Sequence, residues 1–137
     1  MEKIFVDTDI VLDLLSNREP FYKDASHLFS EADEGKIKLC VSSLSFSNLN
    51  YLLSKQYSSG QARKLLLKFK TLVTVLSVSD KVVELSLASD FKDFEDGMQY
   101  YTALENNIKI LLTRNLKDYK AAQIPVMTAE QFLKGKK

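Results

Sequence analysis

The stretch Met1–Leu15, MEKIFVDTDIVLDLL, decides the fold. Lys3–Val6 reads as a short buried strand. It runs straight into two carboxylates, Asp7 and Asp9, and an apolar helix, Ile10–Leu15, follows at once. In an open parallel sheet the carboxyl ends of the strands form the ligand crevice. A carboxylate just after the first strand is therefore expected to point into that crevice and not into the core. An acid is costly to bury unpaired, so Asp7 needs a reason to be there. A bound cation is the simplest one.

Working outward, the same alternation of strand and helix recurs. Pro20 is expected to break the first helix. Phe21, Ala25, Leu28, Phe29 and Ala32 form one face of a second helix, with Gly35 as its C-cap. Lys38–Val41 reads as the second strand. Ser42-Ser43 offers an N-cap to a helix over Leu44–Lys55, with Leu44, Asn48, Tyr51, Leu52 and Lys55 along one side. Gln61–Lys70 is helical, with Ala62, Leu65, Leu66 and Phe69 facing in. Leu72–Val78 alternates and is rich in valine, which predicts a third strand. Ser79 caps a helix running to about Ser89. The acidic run Asp90–Asp96 opens a further helix whose apolar line is Phe94, Met98, Tyr101, Leu104 and Ile108. Ile108–Leu112 reads as a fourth strand, and Val126 begins a brief last one. Thr128-Ala129-Glu130-Gln131 is a capping box, and Gly135-Lys136-Lys137 is expected to fray. Strands separated by helices imply right-handed crossovers. The expected fold is α/β: three layers, α/β/α, with a central parallel sheet of about five strands.

The totals fit this picture. The 137 residues suit a single domain, 1–137. A hydrophobic share of 45% and a charged share of 27% are those of a soluble globular chain. A net charge of +1 excludes a massively basic nucleic-acid coat and a disordered acidic tail, leaving only a local basic patch. One cysteine, Cys40, excludes a disulfide framework and a cysteine zinc site. His27, the single histidine, falls off the apolar helix face and is expected in solvent. No signal peptide and no apolar run long enough for a membrane span is evident, so a cytoplasmic location is expected.

Chemistry is expected where polar groups follow apolar strands. Asp7 follows the first, Ser42-Ser43 the second, and Thr113-Arg114-Asn115 the fourth. The acidic helix start, Asp93 to Asp96, comes just before that fourth strand. All converge on one crevice. Four glycines leave no phosphate-cradling loop. The remaining set is of hard oxygen ligands, which suit Mg²⁺ or Mn²⁺. Such an ion activates water and stabilises charge on a phosphodiester.

The motifs IFVDTDIVLDLLSNREPF, VSSLSFSNLNYLL, DFEDGMQYYTAL, LLTRNLKDY and IPVMTAEQFL span nearly the whole chain in one order. In order and spacing they resemble the PIN-domain ribonucleases, and within them the VapC-like toxins of toxin–antitoxin pairs. The resemblance implies a parallel sheet flanked by helices, acids binding one or two Mg²⁺ or Mn²⁺ ions, and RNA as substrate. It also implies a homodimer and an antitoxin partner. By position Asp7 matches the first family acid and Asp96 the acid opening the long helix, while Asp9 stands where the family usually has Asn. Two acids are replaced, by Asn48 and Asn115, which removes two negative charges. Asp118 and Asp93 are candidates to compensate, Asp93 being equally suited to plain N-capping.

The expected reading is hydrolysis of RNA with Asp7 and Asp96 holding the ion and Asp118 or Asp93 completing its shell. Asn48, Asn115 and Thr113 support the site, and Arg114 or Lys117 contacts the RNA backbone, bidentately in the case of Arg. Two rivals belong beside it. A PIN-like module lacking two acids can bind RNA or an antitoxin with weak or no turnover. The Asp-x-Asp pattern also fits a haloacid-dehalogenase-like phosphatase, with Asp7 as nucleophile and Asp9 as general acid.

Overall fold

The computed structural model describes residues 1–135, so Lys136 and Lys137 of the expected frayed end lie outside the described residues. The five strands are β1 (Lys3–Val6), β2 (Lys38–Ser42), β3 (Thr74–Leu76), β4 (Leu111–Leu112) and β5 (Val126–Met127). They form one sheet in the order β3-β2-β1-β4-β5, every pairing parallel. Among the described residues seven helices surround it: α1 (Thr8–Leu15), α2 (Tyr22–Asp33), α3 (Ser43–Gln56), α4 (Ser59–Lys70), α5 (Asp80–Leu87), α6 (Phe94–Glu105) and α7 (Ala129–Gly135). A single 3-10 turn, Leu116–Tyr119, lies between β4 and β5.

Strand alternation divides the core in two. Ile4, Val6, Leu39, Val41 and Leu112 face one side, where they pack with α1, α2, α3, α4 and α7. Phe5, Cys40 and Leu111 face the other, against Tyr100 and Ala103 of α6, Ile108 and Tyr119. Side chains on a strand alternate between faces, so a run buried on both sides reads as continuously apolar. The three-layer α/β sandwich expected from sequence is what forms.

Boundaries differ from the sequence reading for identifiable reasons. The first helix ends at Leu15, as expected, but starts at Thr8, two residues before Ile10, because Asp7 caps it. Asn17 adopts a left-handed φ of 51°, and Arg18 N and Asn17 N bond back to Asp13 O and Leu14 O. This is a Schellman closure. Gly35 (φ 77°) closes α2 the same way, as expected, and Asn107 (φ 58°) closes α6. Ile108 N bonds to Ala103 O and so belongs to that closing turn. The fourth strand therefore starts at Leu111, not Ile108. Leu72 N likewise turns back to Phe69 O at the end of α4, which shortens the third strand.

Two helix faces also differ. On α3 the buried residues are Ser45, Leu49 and Leu53, while Tyr51 and Leu52 of the expected line are exposed. On α6 the buried residues are Gly97, Gln99, Tyr100, Thr102 and Ala103, and Phe94 and Leu104 are exposed. In both cases the inward face carries polar side chains that serve the crevice. Cys40 is buried and His27 is exposed beside Glu31, as expected. The Thr128–Gln131 capping box forms with both reciprocal bonds.

Candidate active site

The crevice is built where β1 and β4 end. Asp7 N donates to Leu112 O at 2.9 Å, which holds the residue after β1 against the residue ending β4. Asp7 has extended dihedrals and N-caps α1, its Oδ1 accepting from Thr8 N at 2.8 Å. Its Oδ2 accepts from the Thr113 hydroxyl at 2.9 Å and from the Tyr119 hydroxyl at 3.0 Å. With 7% of its surface exposed, Asp7 is buried at the strand ends beneath these donors.

Asp96 meets it there. The Tyr119 hydroxyl that donates to Asp7 lies 3.5 Å from Asp96 Oδ1. Two acids from opposite ends of the sequence thus share one phenol. Asp93 N-caps α6, accepting from Asp96 N at 3.0 Å, and so fixes the start of the helix that delivers Asp96.

Below the carboxylates lies a polar cluster. Gln99 accepts from the Ser42 hydroxyl at 2.6 Å and donates to the Ser45 hydroxyl at 2.9 Å and to Thr8 Oγ1 at 3.3 Å. Thr8 and Ser45 share a further bond at 2.8 Å. Buried polar groups are tolerated when each finds a partner, and this cluster ties α1, α3 and α6 together across the strand ends.

Beside it stands a second acidic pair with a different fate. Asp9 Oδ2 accepts from Arg114 N at 2.9 Å, from the Thr113 hydroxyl at 3.2 Å and from Asn115 Nδ2 at 3.2 Å. Its Oδ1 is buried without a hydrogen-bond partner. Asp13, 1% exposed, takes a bidentate pair from Arg114, 2.7 Å to Nε and 3.1 Å to Nη2. The same guanidinium stacks over the Phe21 ring at 4.1 Å. Arg114 is therefore committed inward. Its side chain ties the β4 loop to α1, a structural role that the sequence reading did not assign it.

The cleft above Asp96 has a volume of about 550 Å³ and is lined by Asp90, Phe91, Lys92, Asp93, Asp96, Lys117, Asp118, Lys120 and Ala121. Asp118 and Lys117 thus share a surface with Asp96. Asn48 reaches the start of α6, donating to Glu95 Oε1 at 2.6 Å, one residue before Asp96.

Electrostatics mark the two linked acids. Burial, then the charge of Asp9, pushes the Asp7 carboxyl up to about 7, against hydrogen bonds from Thr113, Thr8 and Tyr119 that favour the anion. Burial, then the charges of Asp93, Asp118 and Glu95, pushes Asp96 up to about 7. Burial and the neighbouring Asp7 and Asp96 charges raise the Tyr119 phenol, so it remains a proton donor. Burial also raises Asp9, with Arg114 opposing.

Do these residues suit a divalent ion? Among the described residues no three His, Cys, Asp or Glu side chains converge as a ligand group. What the structure offers is two carboxylates linked through one hydroxyl, both pushed toward the neutral form by burial and by neighbouring carboxylates. Mg²⁺ and similar ions bind through one or two carboxylates and keep several waters. The oxygen-only donor set is compatible with such an ion on that footing, and Asp7 and Asp96 are the side chains that could hold it.

Sequence reasoning missed Tyr119, Gln99 and Asp13. Signals existed for two of them. Gln99 lies three residues after Asp96, on the same helix face. Asp13 interrupts an otherwise apolar helix, which points to a buried partner.

Comparison with known proteins agrees with this geometry. A family model described as PIN domain matches residues 3–117. Ribonuclease VapC1 from Aquifex aeolicus is 30% identical over 139 residues, covering 96% of this chain and 93% of the relative. Two solved structures share the fold at lower identity. DNA-bound VapBC from Salmonella typhimurium superposes with a TM-score of 0.72 at 16% identity, covering 94% of this chain and 99% of the other. A toxin–antitoxin complex from Klebsiella pneumoniae gives 0.68 at 23%, covering 92% and 97%. The phosphatase reading is not favoured: Asp7 is closed over by Thr113 and Tyr119, and Asp9 is tied to the β4 loop. The family match, the relative's identity and the sheet order together place this chain in the PIN-domain family, among its VapC-like members.

Proposed function

We propose that this protein is a Mg²⁺- or Mn²⁺-dependent endoribonuclease acting as the toxin of a toxin–antitoxin pair. The observation that carries this reading is the meeting of Asp7 and Asp96 at the Tyr119 hydroxyl. The named activity of the VapC1 relative supports it, and so do the complexes among the structural neighbours.

A bound divalent ion supplies a more acidic water and a counter-charge for the phosphodiester. The chain's own residues do the rest. Asp7 and Asp96 hold the ion, and Tyr119 and Thr113 fix the Asp7 carboxylate by donating to it. Asp93 fixes the start of α6 beneath Asp96. Asp118 extends the negative wall of the cleft, and Lys117 and Lys120 stand on the same wall to meet phosphate. Asn115 orients Asp9, not the ion, through its Nδ2. The partners follow: RNA as substrate, an antitoxin that covers the crevice, and a second copy of the chain as homodimer. The described residues include no helix long and apolar enough to cross a membrane; the cytoplasm as the place of action is part of the same proposal.

Incubating the purified protein with structured RNA, with and without Mn²⁺, tests this. Metal-dependent cutting by the parent and none by Asp7→Asn is expected. RNA binding with no cutting under any metal overturns it in favour of a binding module.

A further inference from the structure

Glu95 opens α6 and is exposed. A glutamate in a first helical turn is ordinarily a free rotor favoured by the helix dipole. Here it is held. Asn48 Nδ2 donates to its Oε1 at 2.6 Å. Asn48 belongs to α3, whose Leu49 and Leu53 pack on one face of the sheet. Glu95 belongs to α6, whose Tyr100 and Ala103 pack on the other face. The bond therefore spans the strand ends, over the crevice and not along a single layer. It fixes a third carboxylate in the same first turn of α6 as Asp96, one residue before it.

We propose that Asn48 aims Glu95 so that its carboxylate adds a further negative charge to the cation held by Asp7 and Asp96. This rests on the reading of the site given above. Asn48 and Glu95 are positioning residues: one orients, the other contributes charge from the rim. A simple latch between two helices needs the hydrogen bond but not the charge, and this separates the two roles.

The test is Mn²⁺ binding by the intact protein, followed by electron paramagnetic resonance with no RNA present. Glu95→Gln keeps an oxygen to accept from Asn48, so a latch survives while the charge is lost. Its Mn²⁺ affinity is expected to fall about tenfold, the lower end of what outer partners of a metal site contribute. Adding Asn48→Asp returns a carboxylate across the same bond, with Gln at 95 now donating. Affinity is expected to recover to within about threefold of the parent. Asp7→Asn serves as the reference for the site itself. If Asp7→Asn loses Mn²⁺ while Glu95→Gln binds as the parent does, the role of Glu95 is overturned and the site stands. Failure of the double variant to recover overturns the charge role as well. If Asp7→Asn binds Mn²⁺ undiminished, the site reading and this proposal fall together.

Discussion

Asp7 and Asp13 stand at the two ends of one short helix, and both are buried, but the chain treats them differently. Asp13 receives a full counter-charge from within, the bidentate guanidinium of Arg114. Asp7 receives only neutral donors: an amide, a threonine hydroxyl and a phenol. One acid is satisfied by the fold. The other is shaped by the fold and left short of positive charge. A buried ion pair is costly to break, so Asp13 reads as structure. A buried acid without a cation, paired through a phenol to a second such acid, reads as a place for a cation from outside.

The sharpest way to break this contrast is to neutralise each acid in turn. Asp7→Asn is expected to lower Mn²⁺-dependent RNA cutting at least about a thousandfold, an effect on the chemical step. Circular dichroism should show the fold intact. Asp13→Asn strands a partly buried guanidinium and is expected to destabilise the protein by about 2 kcal/mol, less than for a fully buried pair. Urea denaturation reads this as a lower midpoint. If the two variants exchange phenotypes, the division between structural and functional acid is wrong.

Acidity sharpens the comparison further. Asp7 and Asp96 are both pushed up to about 7, so below that pH a metal must displace their protons. Mn²⁺ affinity measured calorimetrically is expected to drop roughly ten- to a hundredfold from pH 8 to pH 6, with proton release on binding. In the metal-free protein the sign is set by the same shift. Between the ordinary carboxyl value and about 7, the folded state keeps protons that the unfolded state has released. Stability from these groups is therefore present at low pH and lost as pH rises through about 7. The metal-free parent is expected to melt lower at pH 8 than at pH 5, by a few degrees. In Asp7→Asn that decline should shrink, an outcome scanning calorimetry can check.

Much of this was legible in the chain. Strand-end logic places Asp7, Thr113 and Asn115 on one edge, because a parallel sheet aligns the carboxyl ends of all its strands. Asp96 was legible as the acid at the head of the helix preceding β4. The pairing of Arg114 with Asp13 was not legible, because an arginine beside a crevice looks the same whether it faces phosphate or a buried aspartate. Asp13 settles it only once α1 is wound and its inner face known. Gln99, Ser45 and Thr8 were hidden for another reason. Apolar periodicity finds greasy faces, and the inward faces of α3 and α6 carry polar side chains where they meet the crevice. The same blindness put Phe94 and Leu104 in the core when they are exposed.

Strand order has a consequence in time. β1 is the earliest strand made and the middle one in the sheet, flanked by β2 and by the much later β4. As the chain leaves the ribosome, the first acid is present long before the threonine and phenol that fix it, since domains fold as units during synthesis. A half-made polypeptide thus holds no competent pocket. The link between Asp7 and Asp96 therefore waits until Tyr119 has cleared the exit tunnel.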